Sequence, residues 1–282
     1  MLAPTRWVAT AVVPVLVAAF VLLYGFPDRT QELWGWMVCP SMSALVMGGG
    51  YLSGAYLFLR VARSREWHRV GVGFLATTVF SSILLATTVI HWSRFNHDHV
   101  SFWAWLVLYG ATPFLLPVLW RNNRRLDPGA PSAADAVLPQ SLRAAVGTGG
   151  ALQLGFAAVM FGWPSAAAEV WPWPLEVATS RSLSAFVAFP AVTWLCFWFD
   201  SRWSSFRITT QVATMGLVLV GLGALRAGDE FQAGWQTPAY AVTLVAAVAA
   251  NVALHLAMDR RARAASGRLP DMDVAAAPLP VA

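Results

Sequence analysis

Lysine is missing from this 282-residue chain; all 19 basic residues are arginine. That absence excludes a retinal-type Schiff base, a pyridoxal phosphate linkage and a phosphate-loop lysine. Charge of either sign is scarce, at 12% of residues against the roughly 25% usual in soluble domains. Cysteine is limited to Cys39 and Cys196, which excludes paired-cysteine metal motifs and a disulfide framework. There is no Gly-x-Ser-x-Gly elbow, no nucleotide loop and no stretch long enough for a sizeable soluble domain. No Asp or Glu falls in the middle of a hydrophobic run, so no carboxylate is available there for proton coupling. No catalytic residue is assigned. An enzyme built on this chain would have to work inside a bilayer or at its outer surface.

Apolar residue is abundant instead: 57% of the chain, with a mean hydropathy of +0.57. Such a chain has lipid for most of its solvent. Eight apolar spans are predicted, at residues 7–25, 35–60, 70–92, 100–120, 143–163, 181–199, 207–227 and 238–258. Each is close to the ~20 residues that cross ~30 Å of hydrocarbon. Polar breaks separate them, among them Phe26-Pro27-Asp28, Asn96-His97-Asp98-His99 and Arg121-Asn122-Asn123-Arg124-Arg125. The expected fold is therefore an all-α integral membrane protein with eight transmembrane helices.

Arginine sorts by side. Fifteen fall on the loops that hold the termini, and four, Arg29, Arg94, Arg181 and Arg226, on the other loops. By the positive-inside rule both termini are expected in the cytoplasm. The basic balance orients helices and implies no nucleic-acid partner. Arginine and alanine abundance without lysine suggests a GC-rich bacterial genome, hence an inner (plasma) membrane.

The chain also resembles itself. Shifted by 137 residues, Tyr24-Gly25-Phe26-Pro27 lies on Phe161-Gly162-Trp163-Pro164, Glu32 on Glu169, Trp34 on Trp171 and Trp36 on Trp173. With a shift of 136, Trp67 meets Trp203, Phe95 meets Phe231, and Arg124-Arg125 meet Arg260-Arg261. This is the pattern of a tandem duplication. An even number of spans per copy makes the two four-helix repeats parallel, related by an axis along the membrane normal. The expected division is a first repeat over residues 1–125, a cytoplasmic linker over 126–141, a second repeat over 142–262 and a disordered cytoplasmic tail over 263–282. A first span with a counterpart in mid-chain reads as structural and not as a removable signal.

Three groups of residues are candidate sites. The shared motif places Trp34, Trp36, Trp171 and Trp173 at headgroup level as an aromatic belt, or as ligand-binding residues beside Glu32 and Glu169 in a central outer vestibule. In the second copy Glu230 falls opposite Arg94, a possible ligand or ion-pair contact between copies. The histidine hairpin exists once: His91, His97 and His99 with Asp98 have donor types suited to a metal or haem, or form a plain polar loop. Among polar groups inside the spans, the hydroxyls of Thr77 and Ser81 read as satisfied on their own helix, Gln153 and Gln211 are further polar groups, and Asn251 and His255, four apart on one face, read as packing or as the lining of a cavity near the inner leaflet. Gly48-Gly49-Gly50 and Gly54 mark a seam of close helix approach.

Three functions follow as expectations. The first is binding or transport of a small or lipidic molecule between the two repeats. The others are a metal- or haem-binding redox protein of the outer face, and a non-catalytic membrane subunit or scaffold with a membrane-protein partner. The orientation has a direct check. Membrane-impermeant maleimide on intact cells is expected to reach Cys39 and not Cys196, and labelling of Cys196 from outside would overturn it.

Overall fold

The computed structural model describes residues 1–125, 127, 129 and 135–266. Helix makes up 83% of it, with no strand among the described residues, so the fold is all-α. The helices are α1 (Ala3–Phe20), α2 (Thr30–Leu33), α3 (Ser41–Arg63), α4 (His68–Ile90), α5 (Val100–Arg124), α6 (Gln140–Gly162), α7 (Pro164–Val170), α8 (Val177–Leu195), α9 (Trp203–Arg226) and α10 (Gln236–Ser266). Eight are long and apolar enough to cross a membrane; α2 and α7 are short caps. α1 continues through a π-helical turn, Val21–Gly25, and stops at Phe26-Pro27. Proline cannot donate to the ladder and ends it there.

Boundaries move by a few residues from the expected ones. α3 begins at Ser41 rather than at 35, because residues 34–40 are not helical. α8 begins at Val177, which draws Arg181 into the helix from its expected place at the boundary. α10 runs to Ser266, past the expected end at 258 and into the first residues of the expected tail. The rest of that tail, from 267, lies outside the described residues, as do 126, 128 and 130–134 of the expected linker.

Within each half, α1 packs on α3, α4 on α5, α6 on α8, and α9 on α10. Across the chain, α3 packs on α9, α4 on α8, and α4 on α9. α3 and α4 are neighbours in sequence yet barely touch each other. The inner helices therefore find their partners in the other half of the chain. Burial follows: 67% of the apolar stretch of α3 is inside the protein against 6% for α10, whose valines and leucines face outward. Glycine makes the close approaches possible. A Cβ on Gly48 would lie 2.9 Å from the backbone nitrogen of Tyr24, one on Gly49 would lie 3.0 Å from Leu219, and one on Gly50 would strike the Phe186 ring. Three consecutive residues thus admit α1, α9 and α8 in turn.

The arginine-rich end is tied by side chains that satisfy helix-end carbonyls, groups with no intrahelical partner. Arg6 donates through Nε to the Ala62 carbonyl at 2.9 Å. Arg143 donates to the carbonyls of Phe197 and Trp198 at 2.9 and 2.7 Å. Asn123 bonds Thr5 and the Leu2 backbone, closing α5 onto α1.

Residues 135–139 dock here rather than swinging free. The Leu138 amide donates to the Ser201 carbonyl, and the Trp203 amide to the Ala136 carbonyl, at 2.8 and 3.0 Å. Beside them the buried Arg202 guanidinium spans Asp127 at 2.7 Å and Asp200 at 2.8 Å. Burial works against both carboxylates, but the hydrogen bonds and charge of Arg202 outweigh it and hold both below the usual carboxyl range. The same bonds raise Arg202 further above its already high value. Carboxyls depressed in the folded state stabilise it fully above their unfolded pKa of about 3.9, and that contribution is lost as pH falls through the folded values. Docking of 135–139 is expected to loosen below about pH 4. Arg202→Gln removes the counter-charge of two half-buried carboxylates, a loss of about 1–3 kcal/mol. Amide hydrogen exchange at Leu138 and Trp203 is expected to accelerate sharply in that variant at pH 7; unchanged exchange would refute the hub.

Candidate functional site: a cavity reached by all eight long helices

The shared motif at the opposite end forms two aromatic clusters. Trp34 and Trp36 pack on each other at 5.9 Å between ring centroids, and both meet Trp105, at 5.8 and 4.6 Å. Trp36 also meets Phe95 at 4.8 Å. In the second half Trp171 meets Trp173 at 5.1 Å, and Trp173 meets Phe231 at 5.4 Å and Tyr240 at 5.5 Å. All four motif tryptophans are buried. The aromatic-belt expectation is corrected accordingly: these rings lie within the protein and not among lipid headgroups. Exposed rings at that end include Phe26, Trp92, Trp103, Trp163 and Trp235. The indole N–H of Trp173 donates to Ser43 at 2.9 Å, whereas those of Trp34 and Trp171 are buried without a partner.

The carboxylates of the motif do not join these clusters. Glu32 is exposed and paired with Arg29 at 2.7 Å. Glu169 is exposed, and its backbone carbonyl accepts from Gln236. Glu230 does not meet Arg94, which is exposed. Its carboxylate accepts instead from the Ser41 amide at 2.9 Å, the Ser41 hydroxyl and the Met42 amide at 2.6 Å. It thereby caps α3, where an anion is favoured by the helix dipole.

The histidines are engaged separately. Arg181 donates to His91 Nε2 at 2.9 Å. Burial and then the charges of Arg181 and Arg94 lower the His91 pKa, which keeps that nitrogen an acceptor. His97 stacks between Trp92 at 4.9 Å and Phe102 at 4.8 Å. His99 Nδ1 lies 2.6 Å from the Ser101 hydroxyl. Asp98 is exposed. No group of three His, Cys, Asp or Glu side chains among the described residues is arranged to hold a metal.

What all eight long helices do share is a cavity of about 260 Å³. Typical small-molecule sites are about 300–1,000 Å³, predominantly apolar with a few polar groups. Phe80, Phe186 and Phe189 pack edge-to-face on its α4–α8 side, at 4.9 and 6.4 Å. Gly50, Ser53, Gly54 and Gly216 leave the α3–α9 side low and smooth. Tyr109 donates to Tyr51 at 3.0 Å. The hydroxyls of Ser53, Thr77, Ser81 and Thr112 are satisfied on backbone carbonyls of their own helices. The Gln153 side chain donates to the Val187 carbonyl. Asn251 differs: its amide N–H donates to the Ala247 carbonyl, but its Oδ1 is buried with no partner.

Gly50, Gly54, Thr77, Ser81, Gln153 and Asn251 were visible in the sequence as small or polar residues inside spans. Phe80, Phe186, Tyr51 and Tyr109 were not, because an aromatic ring in an apolar run carries no mark of the side it faces. Comparison of the chain with family models, with curated proteins and with solved structures gives no match.

The buried clusters carry stability. Trp173 is fully buried, and its replacement by Ala is expected to cost about 3–5 kcal/mol. Thermal melting in detergent is expected to show a clear drop for Trp173→Ala and little change for Trp163→Ala, whose ring is 69% exposed. Equal effects would contradict the assignment of Trp173 to the interior.

Proposed function

We propose that the chain is two parallel four-helix repeats clasped about the central cavity, and that it binds or carries a small lipophilic molecule there. The observation that carries the reading is the lining of one cavity by residues from every long helix of both halves. Repeat interfaces near mid-membrane are where duplicated transporters hold their substrates.

The duplication is supported by contacts that recur at the sequence shift. The Asn96 amide donates to the Gly35 carbonyl at 2.7 Å, and the Gln232 amide to the Pro172 carbonyl at 2.8 Å. Arg6 holds the end of α3 as Arg143 holds the end of α8. Helix pairs correspond in the same way: α1–α3 with α6–α8, α4–α5 with α9–α10, and α4–α8 with α9–α3. Around the cavity, residues 136 apart face each other's positions: Gly50 and Phe186, Ser53 and Phe189, Thr77 and Ala213, Phe80 and Gly216. The arginine bias adds an orientation with both termini in the cytoplasm of a bacterial inner membrane.

The test uses Gly216→Phe, which gives the second half the ring its counterpart Phe80 supplies. A Cβ at Gly216 meets only the Ser53 side chain, with its nearest atom at 3.3 Å, so the neighbour that must give is a rotatable hydroxyl. Purified wild-type protein is expected to retain a lipophilic molecule detectable by mass spectrometry, or to support its flux in proteoliposomes. Gly216→Phe is expected to lower either signal at least about tenfold while melting like wild type. No retained molecule and no flux in the wild type, or an unaltered signal in the variant, would sink the reading.

A further inference from the structure

Below the cavity, toward the arginine-rich end, α3, α9 and α10 carry a polar cluster that the reading above leaves unused. Arg60 Nη1 donates to the Tyr56 hydroxyl at 2.6 Å and to Gln211 Oε1 at 3.1 Å. Tyr56 donates to the same Gln211 oxygen at 2.7 Å. The Gln211 amide nitrogen lies 3.5 Å from His255 Nε2, which is 3.4 Å from Asp259. Asp259 is already engaged: Arg207 donates to it at 2.9 and 2.8 Å, and the Trp203 indole at 2.8 Å.

The charges in this cluster do not cancel. Asp259 is balanced by Arg207, which leaves Arg60 with neutral partners and no carboxylate among the described residues. Arg60 is half-buried and always protonated. A guanidinium partly removed from water without a counter-charge is costly. His255 Nδ1 is also buried and unpartnered, one turn from the unpartnered Asn251 Oδ1 that borders the cavity. Two orphaned polar atoms and one cation without a carboxylate partner thus lie between the cavity lining at Asn251 and the arginine-rich end. Unsatisfied groups of this kind in a native fold call for a missing partner.

The lining of the cavity above on α3 runs from Val46 to Phe58, about 18 Å of helix at 1.5 Å per residue. Arg60 sits one turn short of the end of α3 at Arg63, at the arginine-rich end of the span.

We infer that the ligand is a single-chain amphiphile with an anionic headgroup, its chain in the cavity and its head against Arg60. This rests on the proposed function and specifies its substrate class. A carboxylate and a phosphate share the needed chemistry, since both accept hydrogen bonds from a guanidinium fork. The polar face of Asn251 and His255 lies along the route between head and chain.

The test compares palmitate, hexadecyl phosphate and hexadecanol as radiolabelled probes on the full-length protein in nanodiscs of neutral lipid. Wild type is expected to bind at least one anion about tenfold or more tighter than the alcohol. The tighter of the two anions identifies the source of the headgroup. Arg60→Gln is expected to lose that preference while keeping its affinity for hexadecanol, which also reports that the variant is folded. Arg60→Lys is expected to keep the preference. An alcohol bound as tightly as both anions, or a preference that survives Arg60→Gln, overturns the inference and leaves the cavity reading in place. Equal binding of all three probes by wild type and Gly216→Phe overturns the cavity reading itself. No binding of any probe by the wild type overturns the inference and leaves the cavity to a ligand without a long chain.

Discussion

Neither half of this chain covers its own inner helices. α3 and α4 barely touch, although a short loop joins them, and each rests on a helix that comes more than a hundred residues later. In lipid there is little hydrophobic gain from bringing helices together, so association depends on close packing and on a few hydrogen bonds. The glycines at 48, 49 and 50 supply that closeness toward three different helices. The remaining architecture follows from this exchange of partners. α1, α5, α6 and α10 are left outside, and the space where the inner helices meet becomes the cavity.

Arginine serves the same constraint at the helix ends. Backbone carbonyls without water must be satisfied by the protein. Arg6 and Arg143 do so at the arginine-rich end. Arg226 bonds the carbonyls of Tyr24 and Gly25, and Arg181 that of Phe161, where the first helix of each half gives out. A planar fork with several donors suits this task better than an ammonium, which accounts physically for the work arginine does here without lysine. Arg202 and Arg207 have carboxylate partners, whereas Arg60 bonds the Tyr56 hydroxyl and the Gln211 side-chain oxygen.

The eight spans were legible because apolar runs of about twenty residues interrupted by Pro, Asp and Arg admit few other readings. The side each residue faces was far less legible. In a membrane both the interior and the lipid are apolar, so Trp34 and Trp173 have the same sequence appearance whether they face headgroups or the core. The docking of the linker was illegible for a different reason. Ala, Pro and Asp around residue 135 give no sign of the two backbone bonds and the distant arginine that hold it. Glu230 was read against Arg94 by register, while its actual partners, Ser41 and Met42, belong to a helix in the other half. Contacts of that range leave no local trace.

The exchange of inner helices has a consequence for biosynthesis. The glycine-bearing face of α3 is complete long before α8 and α9 exist, since their counterparts lie about 136 residues downstream. At 5–20 residues per second a ribosome needs on the order of ten seconds to make that stretch. During that interval α1 already covers Gly48, while the Gly49 and Gly50 side of α3 still lacks α9 and α8. Assembly of the bundle is thus a late event in which the second set of spans displaces lipid from a surface already waiting for it.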